Sequence, residues 1–116
     1  MHTREKGRQG EDSAVEYLLD RGYSVLSRNY QTRIGEIDLV AKDVDNTIVF
    51  LEVKTARSLT RGNPLYRITP AKQKKLIYMA RKFIHQHKLQ NRPCRFDVIS
   101  IVNGAVDHIR NAFFAM

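Results

Sequence analysis

The chain has one cysteine, no long apolar run and, over more than a third of its length, no acid. The single cysteine, Cys94, excludes an internal disulfide and any zinc site built from several cysteines. That usage fits a reducing compartment, and Cys94 itself reads as a small core residue. No stretch approaches the ~20 apolar residues of a membrane span. The N-terminus, MHTREKGRQGED, lacks the apolar segment of a secretory signal, so the expected location is cytoplasmic and no membrane partner is expected. Repeats, low-complexity tracts and Pro/Gly-rich linkers are also missing, which leaves residues 1–116 as one expected domain. A chain of this length buries roughly two-thirds of its unfolded surface, enough for a core without metal or disulfide staples.

What the chain does have is charge, unevenly placed. The formal net charge is +8. Residues 53–96 carry twelve Lys/Arg and no Asp or Glu, whereas residues 1–52 balance to −3 and residues 97–116 to −1. A long acid-free basic stretch is the footprint of a surface for a polyanion, nucleic acid being the commonest. Solvated lysines that only confer solubility are the plainer alternative.

Residues 8–21 read as a helix whose apolar stripe is Ala14, Val15, Leu18 and Leu19, closed by Gly22. Residues 23–30, 35–42 and 47–56 read as strands, the last two joined through the turn-rich DVDN segment into a hairpin. Residues 57–69, with Gly62 and Pro64, read as a long loop. Thr69-Pro70 is an N-cap followed by a first-turn proline and opens a helix to about Lys88, with Leu76, Ile77, Ala80, Phe83 and Ile84 inward. Residues 95–102 form a strand, Asn103-Gly104 a turn, and residues 105–110 a last strand. Consecutive strands with few helices predict a mixed α/β sheet rather than a regular parallel repeat.

Strand periodicity makes four residues candidates for chemistry. Glu36 and Asp38 share a face of one strand, and Glu52 and Lys54 share a face of the next. In a hairpin the two acidic faces coincide if the register allows. Glu52 and Lys54 interrupt IVFLEV, and an ion among apolar neighbours costs several kcal/mol unless it is paired or metal-bound. The plainer alternative is a half-exposed strand whose polar face meets water. Glu11 lies three, four and seven residues before Ala14, Val15 and Leu18 and so continues the inward stripe, whereas Glu16 points outward. Lys72 and Gln73 extend the stripe of the second helix at its N-terminal end, while Lys74, Lys75, Tyr78, Arg81, Lys82 and His85 read as a solvated face. His108 has no candidate partner near it in sequence. Carboxylates on adjacent strands with a following lysine point to metal-dependent phosphodiester hydrolysis. Oxygen donors suit Mg²⁺, with Mn²⁺ as substitute, and Lys54 would steady the water or the developing negative charge.

Glu11, GEID (35–38), FLEVKT (50–55) and a helix bearing Lys72 and Gln73, in that order, resemble the PD-(D/E)xK nuclease superfamily. The combination GEIDLV with VFLEVKT, together with RNY (28–30), CRFDVISI (94–101) and HIRNAF (108–113), is similar to the YraN-like family of small bacterial nuclease-like proteins. The resemblance implies a restriction-endonuclease-like core, α-β-β-β-α-β, with a mixed central sheet flanked by helices. It implies Asp38 and Glu52 as metal ligands, Lys54 as the catalytic lysine, and Glu11 as a helix-borne acid acting on the metal directly or through water. Gln73 resembles the helix glutamine of RecB-like members, although Ile77 stands where they have tyrosine, and Ile37 replaces the superfamily's proline.

The function expected on this basis is a Mg²⁺-dependent endonuclease acting on DNA of particular structure. The alternative is a nucleic-acid-binding module that does not cut, or cuts only in a complex. Arg57, Arg61 and Arg67 on the loop, with Lys72 and Gln73, are the expected contacts to nucleic acid. Self-pairing into a homodimer is compatible with cutting both strands, though the sequence marks no interface for it.

Overall fold

The structure, a computed structural model, describes residues 3–56 and 68–113, with side chains over residues 10–55 and 68–113. The elements are α1 (Thr3–Asp20), β1 (Ser24–Thr32), β2 (Gly35–Lys42), β3 (Ile48–Ala56), α2 (Pro70–Gln86), β4 (Cys94–Val102) and β5 (Ala105–Phe113). They form one five-stranded sheet in the order β1-β2-β3-β4-β5. Neighbours are antiparallel except β3 and β4, which run parallel and need the connection that contains α2. The expected α-β-β-β-α-β order and mixed sheet are present, with β5 added as an edge strand.

A helix covers each face of the sheet. Ile48 and Phe50 join Val40, Phe96 and Val98 in a core under α2 with Leu76, Met79, Ala80 and Phe83. Val49 and Leu51 join Leu39, Ala41, Ile99 and Ile101 in a second core under α1 with Ala14 and Leu18. Both faces of β3 are therefore dry, which is why IVFL is apolar without alternation. Local chemistry sets the ends of elements as expected. Thr69 Oγ1 accepts the Lys72 N–H at 3.2 Å with Pro70 opening α2, and Gly22 ends α1 at a φ of 87°. Asn103 and Gly104, at φ of 51° and 80°, make the tight turn between β4 and β5.

Several boundaries and burials differ from the sequence reading. The first helix starts at Thr3 rather than residue 8, and the last strand extends to Phe113 rather than residue 110. Leu19, placed in the inward stripe, is 53% exposed, because the stripe narrows to Ala14 and Leu18 where α1 reaches its end. Cys94 is exposed, since it opens β4 at the rim of the sheet, paired only with the first residue of β3. Among the described residues no helix is long and apolar enough to cross a membrane.

Candidate active site

The hairpin ladder runs from Lys42↔Ile48 to Leu39↔Leu51, and Asp38 and Glu52 are the next residues on each strand. The apolar cover ends where the carboxylates begin. Glu52 follows the period of Ile48 and Phe50 and so faces the α2 side, where Lys72 Nζ lies 3.2 Å from its Oε1. Lys72 is therefore not buried as its place in the stripe predicted. Its side chain is 48% exposed and reaches across to a Glu52 side chain that is 13% exposed.

Asp38 sits at an irregular point. Ile37 and Val40 both belong to the core under α2, so strict alternation breaks between them. Across from Asp38, the β1 register places Asn29, whose φ is 55°. The Asp38 carboxylate accepts the Val53 N–H at 2.8 Å. Burial pushes its pKa up to about 7; the Val53 hydrogen bond opposes the rise, and the charges of Glu52, Glu11 and Glu36 reinforce it. Asp38 thus lies within electrostatic reach of all three other carboxylates.

Glu11 arrives through a close helix–strand contact. A Cβ on Gly10 would meet Thr55 Cγ2 at 2.4 Å, so α1 approaches β3 at a separation that glycine permits. One residue on, Glu11 is only 14% exposed and accepts the Asn29 amide at 3.0 Å, with Arg28 Nη2 4.0 Å away. Arg28 is bound more closely to Asp12, at 2.6 Å. Lys54 is half-buried two residues after Glu52. In register beside it is Ser100, whose buried hydroxyl has no hydrogen-bond partner among the described residues. Gln73 donates its amide to the Ile68 carbonyl at 2.8 Å, so one function of this residue is to tie down the entry to α2. Arg57, Arg61 and Arg67 lie outside the described residues.

Among the described residues, no three His, Cys, Asp or Glu side chains converge closely enough to hold a metal ion between them. Mg²⁺ does not require such a cage: it keeps several waters and is commonly held by one or two carboxylates. Asp38 and Glu52 fit that demand as hard oxygen donors, one of them kept partly neutral by burial and by its acidic neighbours. Glu11, already bonded to Asn29, fits through an intervening water.

A second polar cluster, on the α1 face of the sheet, escaped the sequence reading. Arg95 donates to both oxygens of Asp97 at 3.1 Å, to Asp43 at 2.9 Å and to the Tyr23 hydroxyl at 2.7 Å. Asp97 also bonds His108 Nε2 at 2.7 Å and accepts the Asn111 N–H at 3.0 Å. His108 Nδ1 meets the Tyr17 hydroxyl at 3.2 Å. The signal for it was present: charged Arg95 and Asp97 share a face within the apolar run CRFDVISI, the same kind of interruption that drew attention to Glu52.

Comparison with known proteins gives one family. The profile of the uncharacterised protein family UPF0102 matches residues 10–101. A UPF0102 protein of Prosthecochloris aestuarii is 43% identical over 94% of this chain and 93% of its own length. Another, from Ralstonia nicotianae, is 46% identical over 92% of this chain and 85% of its own. Two solved structures are similar at 16% identity. One is described as a repair endonuclease from Pyrococcus abyssi, with a TM-score of 0.39 over 88% of this chain. The other is an EndoMS–dsDNA complex, with a TM-score of 0.36 over 80% of this chain. The chain spans only 38% and 34% of those two proteins.

Proposed function

We propose, proceeding from a chain that belongs to the uncharacterised protein family UPF0102, that it hydrolyses phosphodiester bonds of DNA with the help of Mg²⁺. The resemblance read from GEIDLV and VFLEVKT is borne out at the level of the family. The observation that carries the activity is the placement of Asp38 and Glu52 side by side just past the apolar hairpin pairing, with Glu11 within electrostatic reach of Asp38. Burial and mutual repulsion there hold the Asp38 carboxyl at a pKa of about 7. Carboxylates kept together at such a cost are what a divalent cation relieves.

In this reading Asp38 and Glu52 hold the ion. Mg²⁺ bound there supplies Lewis acidity towards phosphate oxygens and water. The chain's own groups do the rest. Lys54, on the same face of β3 as Glu52, places a fixed positive charge where negative charge grows on the phosphate. The Val53 N–H fixes one oxygen of Asp38 and so orients the other. Glu11, held by Asn29, closes the carboxylate set from the α1 side. Lys72, together with the basic residues Arg57, Arg61 and Arg67, meets the substrate backbone. No base-reading motif is present in the sequence, so selectivity rests on nucleic-acid shape or strand state rather than on sequence.

The test is cleavage of DNA in Mg²⁺ by the wild-type protein beside Asp38→Ala and Lys54→Ala. Cleavage abolished in both variants supports the proposal, and equal cleavage in all three refutes it. A second reading, a binding module that does not cut alone, has one observation on its side: the three carboxylates do not converge as a ligand set. It expects no heat of Mn²⁺ binding in calorimetry, where the hydrolase reading expects binding that Asp38→Ala removes.

A further inference from the structure

We propose that the outer face of α2 is a track for the nucleic-acid backbone, and that this track delivers a phosphate to Glu52 through Lys72. The inference rests on the chain being a nucleic-acid-binding protein and is independent of whether it cuts.

Four observations meet on this face. The first is charge: α2 carries five Lys/Arg and no acid, whereas α1, on the other side of the sheet, carries five Asp/Glu against three Lys/Arg. The two cores place these helices on opposite faces, so the molecule is polarised across its sheet. A polyanion is drawn to the α2 side and repelled from the other.

The second observation is that these cations are unspent. Among the described residues, Lys74, Lys75, Arg81 and Lys82 have no ion-pair partner. Binding phosphate there breaks no internal salt bridge. The third is geometry. Leu76, Met79, Ala80 and Phe83 turn inward, which leaves Lys74, Lys75, Tyr78, Arg81 and His85 exposed along one stripe. Seventeen helical residues span about 25 Å, the axial length of roughly seven base pairs. Tyr78, 48% exposed at the middle with Lys82 lying 5.6 Å over its ring, offers a flat surface within the stripe.

The fourth observation gives the track a direction. Lys72, in the first turn of α2 and on the side of the helix that faces the sheet, is the residue that touches Glu52 where the stripe begins. The N-terminal end of α2, which carries the positive pole of the helix, therefore lies at the carboxylates. A backbone lying along the stripe leads to Asp38 and Glu52 without crossing an acidic surface of α2.

The test measures binding of a short fluorescent duplex DNA, without divalent cation, as a function of salt. The variant Lys74→Gln/Lys75→Gln/Arg81→Gln/Lys82→Gln should bind roughly tenfold more weakly or worse at low salt. Its log–log salt dependence should be less steep by about 3 to 4, the counterions of four lost phosphate contacts. The charge-preserving Lys74→Arg/Lys75→Arg/Lys82→Arg should keep the wild-type slope. If the fourfold variant does not fold, the pairs Lys74→Gln/Lys75→Gln and Arg81→Gln/Lys82→Gln should each remove about 2 from the slope. An unchanged slope in these variants overturns the proposal, as does a wild-type protein that does not bind duplex. A wild-type protein that binds with the expected slope but never cuts in Mg²⁺ refutes the hydrolase reading and leaves the track standing.

Discussion

Lys72 Nζ lies 3.2 Å from Glu52 Oε1, and the two side chains see very different amounts of water: the lysine is half-exposed and the carboxylate nearly covered. Glu52 cannot withdraw from its site, whereas Lys72 can turn away towards solvent or a phosphate. The lysine is a tethered counter-ion to a carboxylate that a divalent ion would also need. An ion pair with one exposed partner contributes about 0.2–1 kcal/mol. Lys72→Met should therefore tighten Mn²⁺ binding to the nucleic-acid-free protein about two- to fivefold while weakening its affinity for duplex DNA. Calorimetry with Mn²⁺ reads the first effect, and looser cation binding in the variant would show that Lys72 helps the ion rather than competing with it.

Asp38 ties stability to pH. Its pKa is pushed up to about 7 in the folded chain, against about 3.9 in an unfolded one. The folded state therefore holds this proton more tightly, and the stability it contributes is complete below the unfolded value. That stability is lost as pH rises towards 7, and the loss is complete once the folded group has ionised. Asp38→Asn keeps an oxygen for the Val53 N–H and removes the titration. The Tm of Asp38→Asn minus that of wild type should grow from about pH 4 to 7 and level off above. A difference that stays flat across that interval would mean the carboxyl titrates normally.

The approach of α1 to β3 is testable at Gly10. Alanine inside a helix ordinarily gains about 1 kcal/mol over glycine. Here the new methyl would meet Thr55 Cγ2 at 2.4 Å, and a β-branched side chain on a strand has little room to yield. Gly10→Ala should therefore lower the Tm despite its better helix propensity. In a Thr55→Ser background the obstructing methyl is gone, and the same change should become neutral or stabilising. Urea titrations of the four proteins in the cycle give the coupling; additive effects would mean that α1 is not in contact at this point.

Much of the site was legible because it breaks simple rules. Glu52 and Lys54 interrupt the apolar run IVFLEV, which singled them out, although that both faces of the run are covered came only from the structure. Thr69-Pro70 located the start of α2, and with it Lys72, by capping chemistry alone. What could not be read was anything set by backbone irregularity or by distant pairing. Asn29, in the left-handed region across from the point where alternation breaks at Asp38, brings an amide to Glu11, eighteen residues away. Strand periodicity carries no sign of it. Arg95 showed the same interruption as Glu52, but its partners Asp43 and Tyr23 are 52 and 72 residues distant. No local pattern could pair them. Cys94 failed for a related reason: a residue type that favours interiors stands at a strand end, where the sheet offers no cover.

The Arg95 cluster shows what such distant pairing contributes. Asp97 is almost wholly buried and holds Arg95, His108 and the Asn111 N–H at once, linking β4 to the edge strand β5. Removing one member leaves buried donors without an acceptor, and breaking a buried ion pair this way costs about 3–5 kcal/mol. Asp97→Ala should thus lower the Tm by roughly 10 °C or more in a domain of this size. By contrast, Asp12→Ala removes the 2.6 Å bond to Arg28 between exposed partners and should cost about 0–1 kcal/mol. Because Arg95 and Asp97 are in register with Val49 and Leu51 on the α1 face, whereas Glu52 and the basic stripe of α2 lie on the other, conservative Asp97→Asn should weaken stability while leaving duplex affinity intact below its lowered Tm. A loss of affinity in a folded Asp97→Asn protein would instead connect this cluster to the nucleic-acid surface.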